Sequence, residues 1–445
     1  MSGAGELHGR YRTILTLGLP VVGGMISQNV LNLVDTGMVA TLGDAALAGV
    51  GTGSFANFLA ISFVLGFSSG VQALVARRKG EGRLSELALP LNAALVIILL
   101  FGVPWSALLH WATPYLFPLI NSDPEVVSVG VPYLQARLLA LIAVAINFSF
   151  RGFWNGINRP GLYMRTLLVM HASNIVLNYL LIFGEFGAPK LGATGAGVAS
   201  AISTWIGSAV YILLGLRHAR RGGFLKALPG REVFRTIIRV SVPNGVQQLL
   251  FSGSYTVLFW ILGQVGTAAT AAANVLINMT LVAILPCIAF GITGASLVGQ
   301  ALGRDDPEDA RRWAWQVSQV AVAVILVIGG IMLAAPQAIL GLFLEDRQTL
   351  EMARVPLMIM AGTLIFDAVG IVLQQAHLGA GASRTAMVVS VSAQWLVYLP
   401  AAYLAGVVWD FGLVGIWLAA VLPKVLQAGL FTFLWQRGRW SETKV

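Results

Sequence analysis

Two aspartates, Asp35 and Asp367, lie inside long apolar stretches of this 445-residue chain. A carboxylate in hydrocarbon costs on the order of 2.5–3.5 kcal/mol even on insertion scales, so each needs a proton, a cation or a polar partner. Asp35 has candidates at its own depth. It lies about six residues, roughly 9 Å, from the end of its stretch. Asn178 is about eight residues from the corresponding end of another stretch, and Asn174 lies one turn deeper on the same face. Ser200 is about seven residues into a third. One carboxylate with amide and hydroxyl oxygens is a hard-oxygen set suited to Na⁺, and equally a pocket in which a carboxyl group takes up and releases a proton. The asparagines alone would also serve as an interhelical hydrogen-bond clamp. Arg137, Arg151 and Lys424 either pair with the carboxylates or snorkel to an interface. His171 and His377 either titrate near neutral pH or, as is commoner for a lone membrane histidine, make interhelical hydrogen bonds.

The elements that hold such groups follow from composition. Hydrophobic residues make up 57% of the chain and charged residues 11%, against about 25% charged in an average soluble domain. Too few ionised side chains remain to cover a water-facing surface of this size, which excludes a soluble enzyme. A helix rising 1.5 Å per residue crosses a bilayer in about 20 residues. Twelve apolar runs reach that length: 13–41, 46–76, 88–112, 126–157, 162–186, 193–216, 237–264, 268–301, 315–343, 351–379, 386–409 and 412–436. The first is too long for the core of a cleaved signal, so the chain is expected to insert whole. The lone Cys287 excludes a disulfide framework and reads as a small apolar filler.

The net charge of +9 would suit nucleic acid, but the distribution of basic residues points elsewhere. They cluster at Arg10 and Arg12, Arg77 to Arg83, Arg151 to Arg165, Arg217 to Arg239, Arg304 to Arg312, Arg384, and Arg437 to Lys444. With twelve crossings all these segments share one side, and the other carries mostly acids. The positive-inside rule then puts both termini in the cytoplasm of a multi-pass inner-membrane protein. Trp105, Trp111 and Trp409 near the outer ends, and Trp154, Trp313, Trp435 and Trp440 near the inner ends, suit interfacial anchors or core packing.

The chain also repeats itself at an offset of about 223 residues. Pro20 falls on Pro243, Gly43 on Gly266, Gly80 on Gly303, Asp123 on Asp346 and Gly156 on Gly379. Proline and glycine mark bends and close approaches, so their recurrence in order implies two copies of one six-helix bundle. Six is even, so both copies enter from the same side, and their pseudo-twofold axis runs along the membrane normal. The expected fold is all-α integral membrane, with an N-terminal lobe over 1–216, a cytoplasmic linker over 217–236 and a C-terminal lobe over 237–445. Pro20 and Pro243, helix breakers retained in both copies, are hinge candidates or fixed kinks.

Three stretches carry a family likeness: Pro20 through Asp35-Thr36-Gly37-Met38-Val39 and Leu42-Gly43, Asn174 through Asn178 to Gly184, and Phe366-Asp367-Ala368 followed by Gly379-Ala380-Gly381. Together, in order and spacing, they resemble the multidrug and toxic compound extrusion (MATE) transporters over the whole chain. The resemblance implies a V-shaped pair of six-helix lobes exporting organic cations in exchange for sodium ions or protons. It matches Asp35, Asn174, Asn178 and Ser200 to the first-lobe cation site, with Asn178 where some members have Asp. It matches Asp367 to a second-lobe site whose sodium-coupled members add a Glu. Here that stretch is Leu250-Phe251-Ser252-Gly253, with no acid. Gln247, Gln248, Ser252 and Tyr255 are then the nearest polar candidates for binding substrate or a proton beside Asp367. Both departures favour H⁺ over Na⁺ as the coupling ion.

The expected function is a secondary active multidrug exporter, monomeric and surrounded by lipid, in which two rocking lobes exchange cationic or amphipathic small molecules for the ion. No cofactor or nucleic acid is expected. Within the same architecture a lipid-linked oligosaccharide or lipid precursor flippase is the rival, although its anionic substrate would favour basic rather than acidic groups. An intramembrane enzyme finds no HExxH, GxSxG or clustered Cys and His to work with, and a Walker A sequence is missing.

Overall fold

A computed structural model describes residues 2–443, with side chains from Leu7 onward. Lys444 and the outermost ends of both expected lobes lie outside these residues. In hydrocarbon every backbone N–H and C=O must be paired within its own segment, and the apolar runs accordingly form helices throughout. They are α1 (Ser2–Ala40), α2 (Asp44–Gly80), α3 (Leu84–Ile120), α4 (Pro124–Leu138 and Leu141–Gly156), α5 (Pro160–Phe183) and α6 (Gly192–His218). The second half has α7 (Arg231–Val265), α8 (Thr267–Gly303), α9 (Pro307–Ala334), α10 (Arg347–Gly379), α11 (Ser383–Val408) and α12 (Gly412–Arg437). Ten of these are long and apolar enough to cross a membrane, and the bent α4 makes an eleventh. The twelfth, α7, has the length, 35 residues, but Asn244, Gln247, Gln248, Ser252 and Ser254 dilute its apolar character. The fold is all-α integral membrane, six helices to each half of the chain, with no strand among the described residues.

Several helices depart from the expected runs for identifiable reasons. The α4 run is bent by 48° at Leu139 and Ala140. Side chains take over the carbonyls freed there. Ser106 Oγ donates to the Leu138 carbonyl at 2.7 Å and Trp205 Nε1 to that of Leu139 at 3.2 Å. The α9 run ends at Ala334, well short of 343, because Pro336 drives Ala335 out of helical geometry (φ −139°, ψ 55°). A short helix, Pro336–Leu340, follows. α3 carries a wide turn at Ile98–Gly102 just ahead of Pro104, which has no N–H to give, and then continues past 112 to Ile120.

The tryptophans divide. Trp105, Trp111 and Trp409 are exposed, as anchors must be. Trp154 and Trp435 are fully buried and Trp440 nearly so, with Trp435 stacked on Trp440 at 3.9 Å. For these three core packing replaces the anchoring role, while Trp313 is half-buried under the Arg10 guanidinium.

Two compact units emerge: Gly23–Gly245, and Val246–Val445 together with Met1–Val22. The first part of α1 thus belongs with the second half of the chain, and the first part of α7 with the first half. In each case the boundary falls two residues past a proline, Pro20 or Pro243. In its unit, α1 buries Ile14 completely and packs Gly18 on Phe290 of α8. Arg10 bonds to Asp309 at 2.5 Å and to Gln316 at 2.6 Å on α9. In the other unit α7 packs Ser241, the residue 223 after Gly18, against Gly70 of α2.

The repeat is visible within each unit separately. Gly43 and Gly266 precede α2 and α8 with φ of 102° and 144°, a region that favours glycine. Asp123 and Asp346 cap α4 and α10 through their side chains. A Cβ on Gly156 would press on the Gln72 carbonyl of α2, and one on Gly379 on the Ala295 carbonyl of α8, the position offset from Gln72 by the same interval.

Candidate functional site

The unit formed by Gly23–Gly245 gathers Asp35 and the three residues expected around it, Asn174, Asn178 and Ser200. Glycines on α6 make this possible. Gly195 and Gly207 flank Ser200, and a Cβ at the first would strike the Leu181 carbonyl of α5, at the second the Met170 sulfur. With both positions bare, α5 and α6 close until Asn174 Nδ2 reaches Ser200 Oγ at 3.2 Å and Ser203 Oγ at 3.4 Å. Asn178, one turn along α5, donates to Asn174 Oδ1 at 3.1 Å and to Asp35 Oδ1 at 2.6 Å. The result is one polar chain, Asp35 to Asn178 to Asn174 to the two serines, across three helices. Asn174, Asn178, Ser200 and Ser203 are buried while Asp35 is half-buried.

The donors of Asn178 are both used, but its Oδ1 is buried and has no hydrogen-bond partner. An acceptor left without a donor beside a carboxylate is the arrangement in which a cation or a protonated acid finds oxygen lone pairs waiting. The Arg137 guanidinium is close enough for its charge to act on Asp35.

Two further residues extend the site. Ser203 lies three positions from Ser200, on the same helical face, a spacing readable in the sequence. His171 Nε2 donates to Gln28 Oε1 at 3.2 Å. Gln28 is seven residues before Asp35 on α1, as His171 is seven before Asn178 on α5, so the α1–α5 seam is polar over two turns. Gln28 carried no signal in the sequence because an exposed position on α1 has the same appearance. Among the described residues no group of three or more His, Cys, Asp and Glu could hold a metal ion. The oxygen set is therefore one carboxylate with amides and hydroxyls.

In the other unit, Asp367 on α10 is held by Lys424 on α12, Nζ to Oδ2 at 2.6 Å. Gln247, Gln248, Ser252 and Tyr255, the polar candidates for binding beside Asp367, do not themselves hold it. Among the described residues no hydrogen bond joins it to them. A cation on α12 outcompetes neutral amides for a carboxylate removed from water. The charge of Asp367 does reach Tyr255 and Cys287. Tyr255 makes an edge contact with Phe251, and Gln247 Oε1 and Ser252 Oγ are buried without partners. Arg151 bonds to Ser68 at 3.1 Å rather than to a carboxylate. His377 bonds within its own helix, to the Leu373 carbonyl at 2.8 Å, and packs on Phe431 and Trp435.

The sequence model of the MatE family matches this chain twice, over residues 20–180 and 243–404. The matches begin at Pro20 and Pro243, the pair that first defined the repeat. The chain belongs to the MATE family. This MATE protein is 27% identical to the "Probable multidrug resistance protein NorM" of Rhizobium meliloti over 93% of its length and 90% of the relative's. It is 28% identical to the protein of that name from Pseudomonas aeruginosa, covering 96% and 90%. Among solved structures, a MATE protein crystallised in a straight conformation superposes with a TM-score of 0.88 at 22% identity, over 97% and 96% of the two chains. Membrane transport is thus the activity that the MATE fold serves here.

Proposed function

We propose that this MATE transporter is a secondary active multidrug exporter that antiports organic cations and amphipathic drugs against H⁺, with Na⁺ as the other ion its oxygen set accommodates. The observation that carries this reading is the buried polar chain ending on Asp35. A carboxylate at membrane depth, backed by Asn178, Asn174, Ser200 and Ser203, has a reason to be there if it is loaded and unloaded in the cycle. Relatives named as multidrug resistance proteins support the substrate class. Loading the ion alters the Asp35–Asn178 contact and with it the position of α1. Only a difference in affinity between two states can drive export, so ion and drug must favour opposite ones. Pro20 and Pro243, at the unit boundaries of α1 and α7, are assigned as the hinges that let the two lobes rock. Asp367, engaged by Lys424, is assigned a place beside Gln247, Gln248 and Tyr255 in substrate binding. The protein acts as a monomer in the inner membrane with both termini cytoplasmic.

The test is uptake of a fluorescent lipophilic cation by inside-out vesicles, driven in separate arms by an acid-inside pH gradient and by an inward-high Na⁺ gradient. The pH gradient should drive uptake in the wild type and fail in Asp35→Asn. Uptake with neither gradient, or equal uptake by Asp35→Asn, would overturn the assignment.

A further inference from the structure

A groove of about 330 Å³ lies between α5 and α6 at their Arg-rich end, wholly within one unit and away from Asp35. Its rim carries Arg165 on α5 and Arg217 and His218 on α6, all exposed. The charges of Arg159, which precedes α5, and of Arg217 both reach His218. Among the described residues none of these four bases is paired with a carboxylate. The segment that follows α6 supplies none, since it opens with Arg220 and Arg221. Below the rim the lining turns apolar. Val169 on α5, one turn past Arg165, faces Val210 and Leu214 on α6, a track about 6 Å long at helical rise, while Leu162 lies on the other side of Arg165, toward the start of α5. Beside it Leu168, Val169 and Leu213 are exposed on the outside of the helices, the surface a membrane helix turns to lipid.

We propose that this groove is a binding site for an anionic glycerophospholipid. The guanidinium pair of Arg165 and Arg217 takes the phosphate oxygens, and one acyl chain begins its descent between α5 and α6 along Val169, Val210 and Leu214. Guanidinium forks match phosphate geometry bidentately, and basic pockets between helices are where anionic headgroups dock. A zwitterionic headgroup would bring its own ammonium against three bases. The cationic drugs assigned to the transport site are excluded from the groove by the same charge, so the lipid is a resident of the site and not cargo. A bound lipid joins α5 to α6, the two helices that carry Asn174, Asn178, Ser200 and Ser203.

The full-length protein, purified in detergent, is titrated with dioleoyl phosphatidylglycerol and, in parallel, with dioleoyl phosphatidylcholine. The acyl chains are identical, so the two lipids differ only in their headgroups, one of which is anionic and the other zwitterionic. Lipid retention is read by native mass spectrometry. Wild type should hold phosphatidylglycerol about thirtyfold more tightly, and Arg165→Gln with Arg217→Gln should reduce the two lipids to parity. Leu214→Trp, which fills the apolar track and leaves the bases in place, should weaken both lipids at this site. Thermal unfolding in phosphatidylcholine checks that each variant is folded. Equal retention of the two lipids by wild type, or an undiminished preference in both folded variants, would overturn the proposal. So would displacement of the lipid by millimolar inorganic phosphate, which would make the groove a site for free anions.

Discussion

Asn178, fully buried on α5, donates a hydrogen bond of 2.6 Å to Oδ1 of the half-buried Asp35 on α1. The amide has no charge of its own to give and cannot titrate, so it holds α1 to α5 without settling which ion Asp35 carries. A proton or metal cation arriving at Oδ1 competes with the amide for the same lone pairs. Replacing the amide by a second acid tests this competition. Asn178→Asp should make exchange depend on Na⁺, raising the Na⁺ sensitivity of drug efflux by at least about tenfold through an added charge at contact distance. Efflux measured across a Na⁺ series at fixed pH reads the change. An Asn178→Asp protein with the same Na⁺ response as the wild type would count against ion binding at this position.

The Asp367–Lys424 pair makes a separate prediction about stability. Both side chains are about one-fifth exposed. Asp367→Asn strands the ammonium in a poorly hydrated place and should cost about 3 kcal/mol. Removing both charges, with Asp367→Asn and Lys424→Met, should restore most of the loss, because no uncompensated charge remains. Thermal unfolding of the two single variants and the double completes the cycle. A double variant as unstable as the singles would mean that the ion pair is not what couples α10 to α12.

Glycine substitution separates close packing from open helix surface. A Cβ at Gly152 would run into the carbonyl of Ser68, and one at Gly379 into that of Ala295, both backbone atoms that cannot swing aside. Gly152→Ala and Gly379→Ala should each destabilise by about 1–3 kcal/mol or more. Gly51, also in a helix, meets nothing within 4 Å. Gly51→Ala should be neutral or slightly stabilising, since alanine is the better helix former. Melting temperatures in one detergent decide between these outcomes.

The prolines are tested by kinetics. If Pro20 and Pro243 are hinges, Pro20→Ala and Pro243→Ala should slow efflux while leaving drug affinity in the binding-competent state near the wild-type value, because neither ring is among the groups assigned to bind ion or drug. Equilibrium binding and transport rate on the same preparations separate the effects. Fixed kinks would leave both quantities unchanged.

Much of this was legible in the residues alone. Periodicity of length and charge defines the helices, and Pro20, Gly43, Asp123 and Gly156 with their partners at the 223-residue offset reveal the duplication. The cluster around Asp35 could be read because helix rise converts sequence position into depth, and asparagines four apart share a face. What depth cannot give is rotation about the helix axis. Lys424 could be read as a partner for a carboxylate, but it and Asp367 lie on helices whose relative facing no spacing rule specifies, so which carboxylate it meets had to be seen. The bend in α4 escaped notice because Ser106 and Trp205, which hold it, belong to α3 and α6. Likewise Arg10 gives no hint of Asp309, 299 positions away, nor of the way the first part of α1 joins the far half of the chain. Such long-range contacts leave no periodic trace.

Proton release tests the central claim about Asp35 most directly. Detergent-purified protein, preloaded in weakly buffered solution, is mixed with a saturating lipophilic cation, and the pH change is followed with an indicator dye. If drug and proton compete through Asp35, the wild type should release about one proton per drug bound, and Asp35→Asn should bind drug and release none. Undiminished release from Asp35→Asn would place the exchanging proton on another residue and contradict the account.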